Sequence, residues 1–260
     1  MAKKIALVIL THENRPALED MINNVKHFCP NADVLLYNSG DDPKLSDGLD
    51  VIPITPSQQL YYARIMPFFL DLFNWLEKKG LPYDYVVNLD NDVLFIRHGF
   101  ETFLENYMND CDYLVQWFQK YTPKTSKWRP IRSLRPELSS WYHFFGFEYT
   151  HRGFNPGQTF SKVYIEKLIT HPKYTQMLEL ISKNKSYTLH EVLFPTLTDF
   201  LKLEGKSYPE QLKSIIRWRP YQAVSGVNAA LLTDNAYFIH PVKLEIDDPA
   251  RRLVRSLITI

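Results

Sequence analysis

Two carboxylates at alternate positions, Asp90 and Asp92, follow the apolar segment 85–89 with Asn91 between them. A carboxylate just past a buried strand is costly unless a cation or hydrogen-bond donors meet it. A divalent cation held by one or two carboxylates and by substrate phosphates is the usual partner. The same residue types are common in turns, which is the simpler interpretation. Apolar segments on both sides, 85–89 and 93–96, favour the cation site.

A third candidate metal ligand is His240, which follows the apolar segment 237–239 and precedes Pro241. A neutral imidazole can join a carboxylate on Mn²⁺, which accepts mixed nitrogen and oxygen ligands. A lone His is also common as a hydrogen-bonded residue that holds no ligand. Lys243, three residues further, offers a point charge to a phosphate or is simply solvated.

A candidate general base, Glu191, stands at the start of a helix predicted over 190–203, with Thr188 as a possible cap. A carboxylate in this position can take the proton from an acceptor hydroxyl. Carboxylates also favour the first turn of a helix for electrostatic reasons alone. Both interpretations stay open, and Asp199, eight residues further, is a weaker candidate for the same role.

The elements that must position these residues alternate between strands and helices through residue 96. The predicted strands are 5–10, 33–37, 51–54, 85–89, 93–96 and 237–239, and the predicted helices are 16–28, 58–79 with a kink near Pro67, 161–170, 174–181 and 190–203. This order implies a parallel sheet flanked by helices. Ligands of such sheets sit outside the carboxyl ends of the strands. The segments 11–13, 38–40 and 90–92 are therefore expected to meet there.

Four further segments carry residue types suited to binding. Residues 155–159 are predicted to turn into a helix N-terminus, where backbone N–H groups can face a phosphate or sugar. Arg64, on the helix predicted over 58–79, could pair with a diphosphate or with Asp90. Residues 119–140 are basic and Pro-containing without periodicity, which predicts a long, mobile surface loop. Residues 217–221 interleave arginines with aromatic rings, a candidate acceptor or phosphate surface.

Composition limits the class of protein. The 260 residues include 30 Lys and Arg against 29 Asp and Glu, a net charge of +1, which disfavours nucleic acid as the main partner. Hydrophobic residues are 45%, which excludes wholesale disorder. Two cysteines and no stretch that resembles a signal peptide or membrane span indicate a cytoplasmic protein. Three C-terminal arginines, Arg251, Arg252 and Arg255, alternate with apolar residues, so this helix either packs on the core or touches an anionic membrane.

A strand, a DxD triplet and a second strand near residue 90 of a β/α half resemble the GT-A fold of nucleotide-sugar glycosyltransferases. The segment 5–11 resembles the opening strand of that family. Segment 238–243 resembles its late metal-binding His segment, and 188–191 resembles the acidic helix start that supplies the base in inverting members. The expected architecture is α/β, GT-A-like, with a mostly parallel Rossmann-like sheet flanked by helices. One domain is expected, with a nucleotide-sugar-binding half, 1–98, and an acceptor-binding half, 99–260.

The resemblance implies a metal-dependent glycosyltransferase that moves a sugar from a nucleoside-diphosphate sugar, expected to be UDP-linked, to a saccharide or other hydroxyl acceptor, with inversion. The implied metal is Mn²⁺ or Mg²⁺. The implied base is Glu191, the implied metal ligands are Asp90, Asp92 and His240, and the implied nucleotide-sugar contacts are Thr11, His12, Glu13, Asn38, Arg64, Asp90, Asn91, Gly157, Gln158 and Lys243.

Two alternatives belong to other classes. A nucleotidyltransferase also pairs carboxylates on a similar sheet, but it needs a Gly-rich phosphate loop after the first strand, and residues 11–20 contain no glycine. A non-catalytic sugar- or nucleotide-binding module would not need Glu191. A Rossmann dehydrogenase is disfavoured because no GxGxxG follows the first strand.

Overall fold

The computed structural model describes residues 2–122 and 126–258. The strands are β1 Ile5–Thr11, β2 Asp33–Asn38, β3 Ile52–Pro53, β4 Tyr85–Asp90, β5 Leu94–Phe95, β6 Tyr113–Tyr121, β7 Thr150–Ser161, β8 Gly205–Ser207 and β9 Phe238–Ile239. The helices are α1 Arg15–Phe28, α2 Met66–Lys78, α3 Phe100–Tyr107, α4 Arg129–Leu134, α5 Leu138–Phe145, α6 Lys162–Ile169, α7 Tyr174–Lys183, α8 His190–Phe200, α9 Val224–Leu231 and α10 Pro249–Ser256. Short 3₁₀ turns cover Arg135–Glu137 and Glu210–Ser214.

Seven strands form one sheet in the order β3-β2-β1-β4-β7-β6-β8. Neighbours pair in parallel except β7, which runs antiparallel to both β4 and β6. The mostly parallel sheet in a single domain is therefore confirmed, and the sheet takes strands from both halves of the chain. The register sets Thr11 beside Asn38 and Leu10 beside Asp90, so the predicted segments meet at one edge.

The sheet is buried on both faces, which explains the continuous apolar sequence of β1. Alternate side chains of a strand point to opposite faces. Ile5, Leu7 and Ile9 pack in one core with α1, and Ala6 and Val8 pack in the other with α2 and α8. Helix α1 begins after Asn14, whose side chain accepts a hydrogen bond from the Ala17 N–H and caps the helix.

A second, two-stranded sheet brings residues distant in sequence to the end of β4. β5 pairs antiparallel with β9, with Leu94 beside Ile239 and Phe95 beside Phe238. The Val242 N–H then donates to the Asp92 carbonyl oxygen at 2.8 Å. Residue 240 is therefore fixed next to residue 92 by backbone pairing on either side.

Two predicted elements around prolines are wrong. The helix predicted over 58–79 begins at Met66, because Pro67 occupies the first turn, where its missing N–H costs nothing. The loop predicted over 119–140 contains the end of β6, α4 and the start of α5, while residues 123–125 lie outside the described residues. Four buried apolar side chains at helical spacing hold residues 129–141 on the core: Ile131, Leu134, Leu138 and Trp141.

Other regions also differ from expectation. Helices α3 and α9 and strands β6 and β8 were not predicted. The turn predicted at 155–159 is part of β7, where Val87 pairs with Thr159, because the segment fills the gap between β4 and β6.

In α10, Arg251 and Arg255 each bond an Asp20 oxygen at 2.7 Å, so the helix packs on the core. None of the described helices combines the length and the apolar character needed to cross a bilayer.

Gly157→Ala should destabilise the chain more than Gly146→Ala. Both glycines have φ of +80°, a left-handed conformation that costs other residues about 1–2 kcal/mol. A Cβ on Gly157 would also lie 2.5 Å from the Phe238 ring, whereas one on Gly146 meets nothing within 4 Å. Overpacking adds about 1–3 kcal/mol. Urea unfolding measures both, and equal losses would show that β7 and β9 can separate freely.

Candidate active site

A cavity of about 420 Å³ opens at the carboxyl ends of β1 and β4. Its floor carries the DND triplet, and its walls come from the segments before α1, α2 and α8 and from the loop 218–221. The lining includes Leu10, His12, Glu13, Ser39, Leu60, Tyr61, Tyr62, Ala63, Ile65, Asp90, Asn91, Asp92, Phe154, Asn155, Pro156, Tyr187, Thr188, His190, Glu191, Trp218, Arg219, Tyr221, His240 and Leu244. This is the edge at which doubly wound sheets bind ligands.

Asp90, Asp92 and His240 form a cluster with the geometry of a cation site. One ligand atom from each lies within 4.8 Å of the others, and His240 Nε2 is 3.0 Å from Asp92 Oδ1. Burial and the neighbouring Asp92 raise the pKa of Asp90 to about 6. Two carboxylates that repel each other in a poorly solvated place are what a divalent cation relieves.

The orientation of His240 fits a role as metal ligand. Its Nδ1 lies 2.7 Å from the Arg217 carbonyl oxygen, and because a carbonyl only accepts, Nδ1 must donate. Nε2 therefore faces Asp92, either protonated or with its lone pair. Burial lowers the pKa of His240, but Asp92 and Asp90 raise it, and the net direction is up. A backbone carbonyl that fixes the tautomer is typical of metal-binding histidines. One imidazole and two carboxylates suit Mn²⁺.

Asn155 connects this cluster to Glu191. Its Nδ2 donates to Asp90 Oδ1 at 2.9 Å, and its backbone N–H donates to Glu191 Oε1 at 3.4 Å. Its Oδ1 accepts from the Asn88 amide at 3.1 Å, which fixes the side chain. Asn155 was missed as a site residue, although it opens the segment 155–159 that had been selected for its backbone. The signal for its role was a polar residue between apolar neighbours.

Glu191 is only 8% exposed, in the first turn of a helix that is buried on every side through residue 198. Burial raises its pKa to about 8, with a smaller contribution from the charge of Asp90. The adjacent His190 stacks on Phe69, and burial lowers its pKa to about 3, so it stays neutral. A carboxyl group that titrates near neutral pH at a cavity wall is suited to proton transfer.

The fold has counterparts among solved structures. An active-site mutant of LgtC superposes with a TM-score of 0.55 at 10% identity, over 98% of this chain and 95% of that chain. The chain has the GT-A fold. The galactosyltransferase LgtC in complex with donor and acceptor sugar analogues gives a TM-score of 0.50 at 12% identity, with the same coverage. No protein-family model and no curated protein matches the sequence.

The GT-A architecture places part of the predicted nucleotide-sugar set at the cavity. His12 and Glu13 line it, with His12 Nε2 3.5 Å from Glu13 Oε1, as do Asp90 and Asn91. Thr11 is fully buried below, and its carbonyl oxygen accepts from Ser39 N at 2.7 Å and Oγ at 2.9 Å.

Asn38 does not line the cavity. Its side chain closes a turn by bonding the Asp42 carbonyl and the Gly40 N–H, and Ser39 faces the cavity instead. A Cβ on Gly40 would overlap the His12 carbonyl, so glycine is required for this close approach. At the end of β2, the side chain that faces the cavity is therefore that of Ser39 and not that of Asn38, one residue earlier.

Four predicted contacts lie elsewhere in the GT-A fold. Arg64 is exposed and lines a second cavity of about 380 Å³, because residues 61–64 form a turn before α2 instead of part of the helix. Gly157 and Gln158 lie inside β7, where Gln158 is completely buried. Lys243 is exposed, and its neighbour Leu244 lines the cavity. Sequence inspection also assigned no site role to Tyr187, which lines the wall next to Glu191.

The raised pKa of Glu191 predicts how stability depends on pH. The unfolded chain releases this proton near pH 4.5 and the folded chain near pH 8, so the folded state binds the extra proton between those values. The free energy of unfolding must therefore fall as pH rises through this window. Glu191→Gln removes this loss, and its stability relative to wild type should increase from pH 5 to pH 8. Urea unfolding in EDTA at both pH values measures the difference, and a constant difference would contradict the shift.

Proposed function

We propose that the protein is a metal-dependent glycosyltransferase that uses a nucleoside-diphosphate sugar, UDP-linked, and a hydroxyl acceptor. The observation that carries the proposal is the cluster of Asp90, Asp92 and His240 on the floor of a cavity whose wall holds a buried carboxyl group, Glu191. The GT-A fold shared with LgtC supports it. The chain lacks a Gly-rich segment after β1, which speaks against nucleotidyl transfer.

Asp90, Asp92 and His240 would hold Mn²⁺ or Mg²⁺. When bound, the cation would neutralise charge on the departing diphosphate. His12, Glu13 and Ser39, at the ends of β1 and β2, would contact the base and ribose of the donor. The cation and the donor would share the floor with Asn155, which holds Asp90 in place.

Glu191 would act on the acceptor. In the reaction, the bond from the anomeric carbon to the diphosphate oxygen breaks, a bond to the acceptor oxygen forms, and the acceptor proton passes to Glu191. Only the ionised form of Glu191 accepts a proton, and burial, the main cause of its raised pKa of about 8, makes that form more abundant as pH rises. A cation on Asp90 would remove the smaller raising effect of that carboxylate. Inversion stays a prediction, and NMR of the product's anomeric proton tests it.

UDP should bind more tightly with Mn²⁺ than with EDTA, because the two carboxylates and the diphosphate repel each other without a cation. Calorimetric titration with UDP, GDP and ADP measures the metal dependence and the base preference. Asp92→Asn should remove most of the metal effect. Asp47→Asn, which changes an exposed carboxylate elsewhere, is the control. Equal UDP affinity with and without Mn²⁺ would exclude the metal from donor binding.

Glu191→Gln should lower kcat by about two to four orders of magnitude while UDP affinity stays within about two-fold, because the amide keeps the shape but cannot take a proton at neutral pH. Sugar transfer is measured by release of UDP from a UDP-sugar. A fully active variant would end the base assignment and favour a structural role for Glu191 at the helix start.

A further inference from the structure

The mouth of the cavity is bordered by aromatic side chains that face solvent. Tyr61 is 80% exposed, Tyr62 75%, Trp218 50% and Tyr221 38%. Among the residues that the structure describes, these are the most exposed aromatic side chains, and all four line this cavity. Clustered exposed apolar surface marks a place where something binds. Flat rings with polar edges suit the apolar face of a sugar.

Two arginines stand among these rings. The Arg129 guanidinium lies 4.0 Å from the Tyr187 ring centroid, and the Arg219 guanidinium lies 4.1 Å from that of Tyr221. Both arginines are exposed, and neither forms an ion pair with a carboxylate in the described part of the chain. The exposed Tyr62 ring lies next to the first pair, with its centroid 6.2 Å from that of Tyr187.

The charges of the cavity differ between its inner wall and the loop 218–221. The floor and inner wall carry the carboxyl groups of Asp90, Asp92 and Glu191, and the exposed Glu13 lines the end near β1. Arg219 lines the opposite part of the mouth, and Arg129 lies against Tyr187, a residue of the cavity wall. Arg129 begins α4 and stacks on Tyr187, three residues before α8 and on the side of Glu191. Arg219 follows Arg217, whose carbonyl holds His240. A molecule lying across the mouth would therefore reach Glu191 at one end.

We propose that a rim consisting of Tyr62, Arg129, Tyr187, Arg219 and Tyr221 binds the acceptor, and that the acceptor is a saccharide bearing a phosphate or carboxylate group. The assignment as acceptor rests on the proposed glycosyl transfer. The rings hold the sugar, and the guanidinium groups pair with the anionic group, a geometry that arginine favours. Glu191 then meets one hydroxyl of the same sugar.

The test uses matched probes of different charge. Glucose, galactose and mannose, their 6-phosphates and their uronic acids are titrated by calorimetry against the full chain saturated with UDP and Mn²⁺. At least one anionic probe should bind on the order of ten-fold or more tightly than its neutral parent, as expected for a hydrogen-bonded charge pair. Arg129→Gln should remove this preference and leave binding of neutral sugars and UDP unchanged.

The matched control is Arg132→Gln, which removes an exposed arginine one turn further along α4. Within the described residues, Arg129 is the arginine of α4 that stacks on Tyr187. It should keep the preference, and both variants should keep the wild-type melting temperature. Equal affinity of every anionic probe and its neutral parent would overturn the proposal. So would an Arg129→Gln variant that loses affinity for UDP to the same extent, because the rim would then serve the donor diphosphate.

The titrations also separate failure of the proposed glycosyl transfer from failure of the proposed acceptor rim. For that case the same titrations are run on the chain without UDP. Tight, Arg129-dependent binding of an anionic sugar by a chain that does not bind UDP or transfer sugar would support the rim and remove the glycosyltransferase proposal. Normal UDP binding and transfer to a neutral acceptor, without any Arg129 dependence, would support the enzyme and overturn the rim.

Discussion

Electrostatic repulsion among half-buried and buried carboxyl groups is the constraint on which this site depends. Asp90, Asp92 and Glu191 meet at one cavity, and burial raises the pKa of Asp90 to about 6 and of Glu191 to about 8. Such a grouping destabilises a fold at neutral pH unless protons, hydrogen-bond donors or a cation offset it. The chain supplies hydrogen-bond donors through Asn155 and an imidazole nitrogen of His240 beside Asp92, and the remaining repulsion is the reason to expect a divalent ion.

The scaffold holds these groups through backbone pairing rather than through flexible contacts. β4 delivers the DND triplet beside β1, β9 delivers His240 beside β5, and β7 delivers Asn155 between β4 and β6. Both faces of the sheet are packed, so the strand ends cannot move independently. A site built on strand ends in a packed sheet is already arranged before a ligand arrives, which lowers the cost of binding.

The division of charge between floor and mouth follows from the same architecture. Carboxyl groups at strand ends are shielded from water, where a cation gains most, whereas the arginines of α4 and of the loop 218–221 stay in contact with solvent. An arginine stacked on a ring is held in position without an ion pair to a neighbouring carboxylate, so its charge stays available to a ligand. Under the proposed function, the inner region would hold a diphosphate with its cation and the rim would hold an anionic acceptor.

The sequence by itself determined the strands β1 to β5 and β9 and selected the DND triplet, His240 and Glu191 as candidates, because buried strands and costly carboxylates leave local patterns of apolar runs and charge. Prediction from the sequence failed where the structure of a segment depends on contacts with residues distant in sequence. Residues 129–140 fold as helical turns because their apolar face packs on the core, and residues 155–159 are extended because two strands flank them. Thr11 and Asn38 were chosen over Ser39 since the direction of a side chain at a strand end depends on the following turn. Only the tertiary structure decided that Asn155 joins Asp90 to Glu191 and that Arg64 and Lys243 face away, because those distances arise from sheet pairing and not from spacing along the chain.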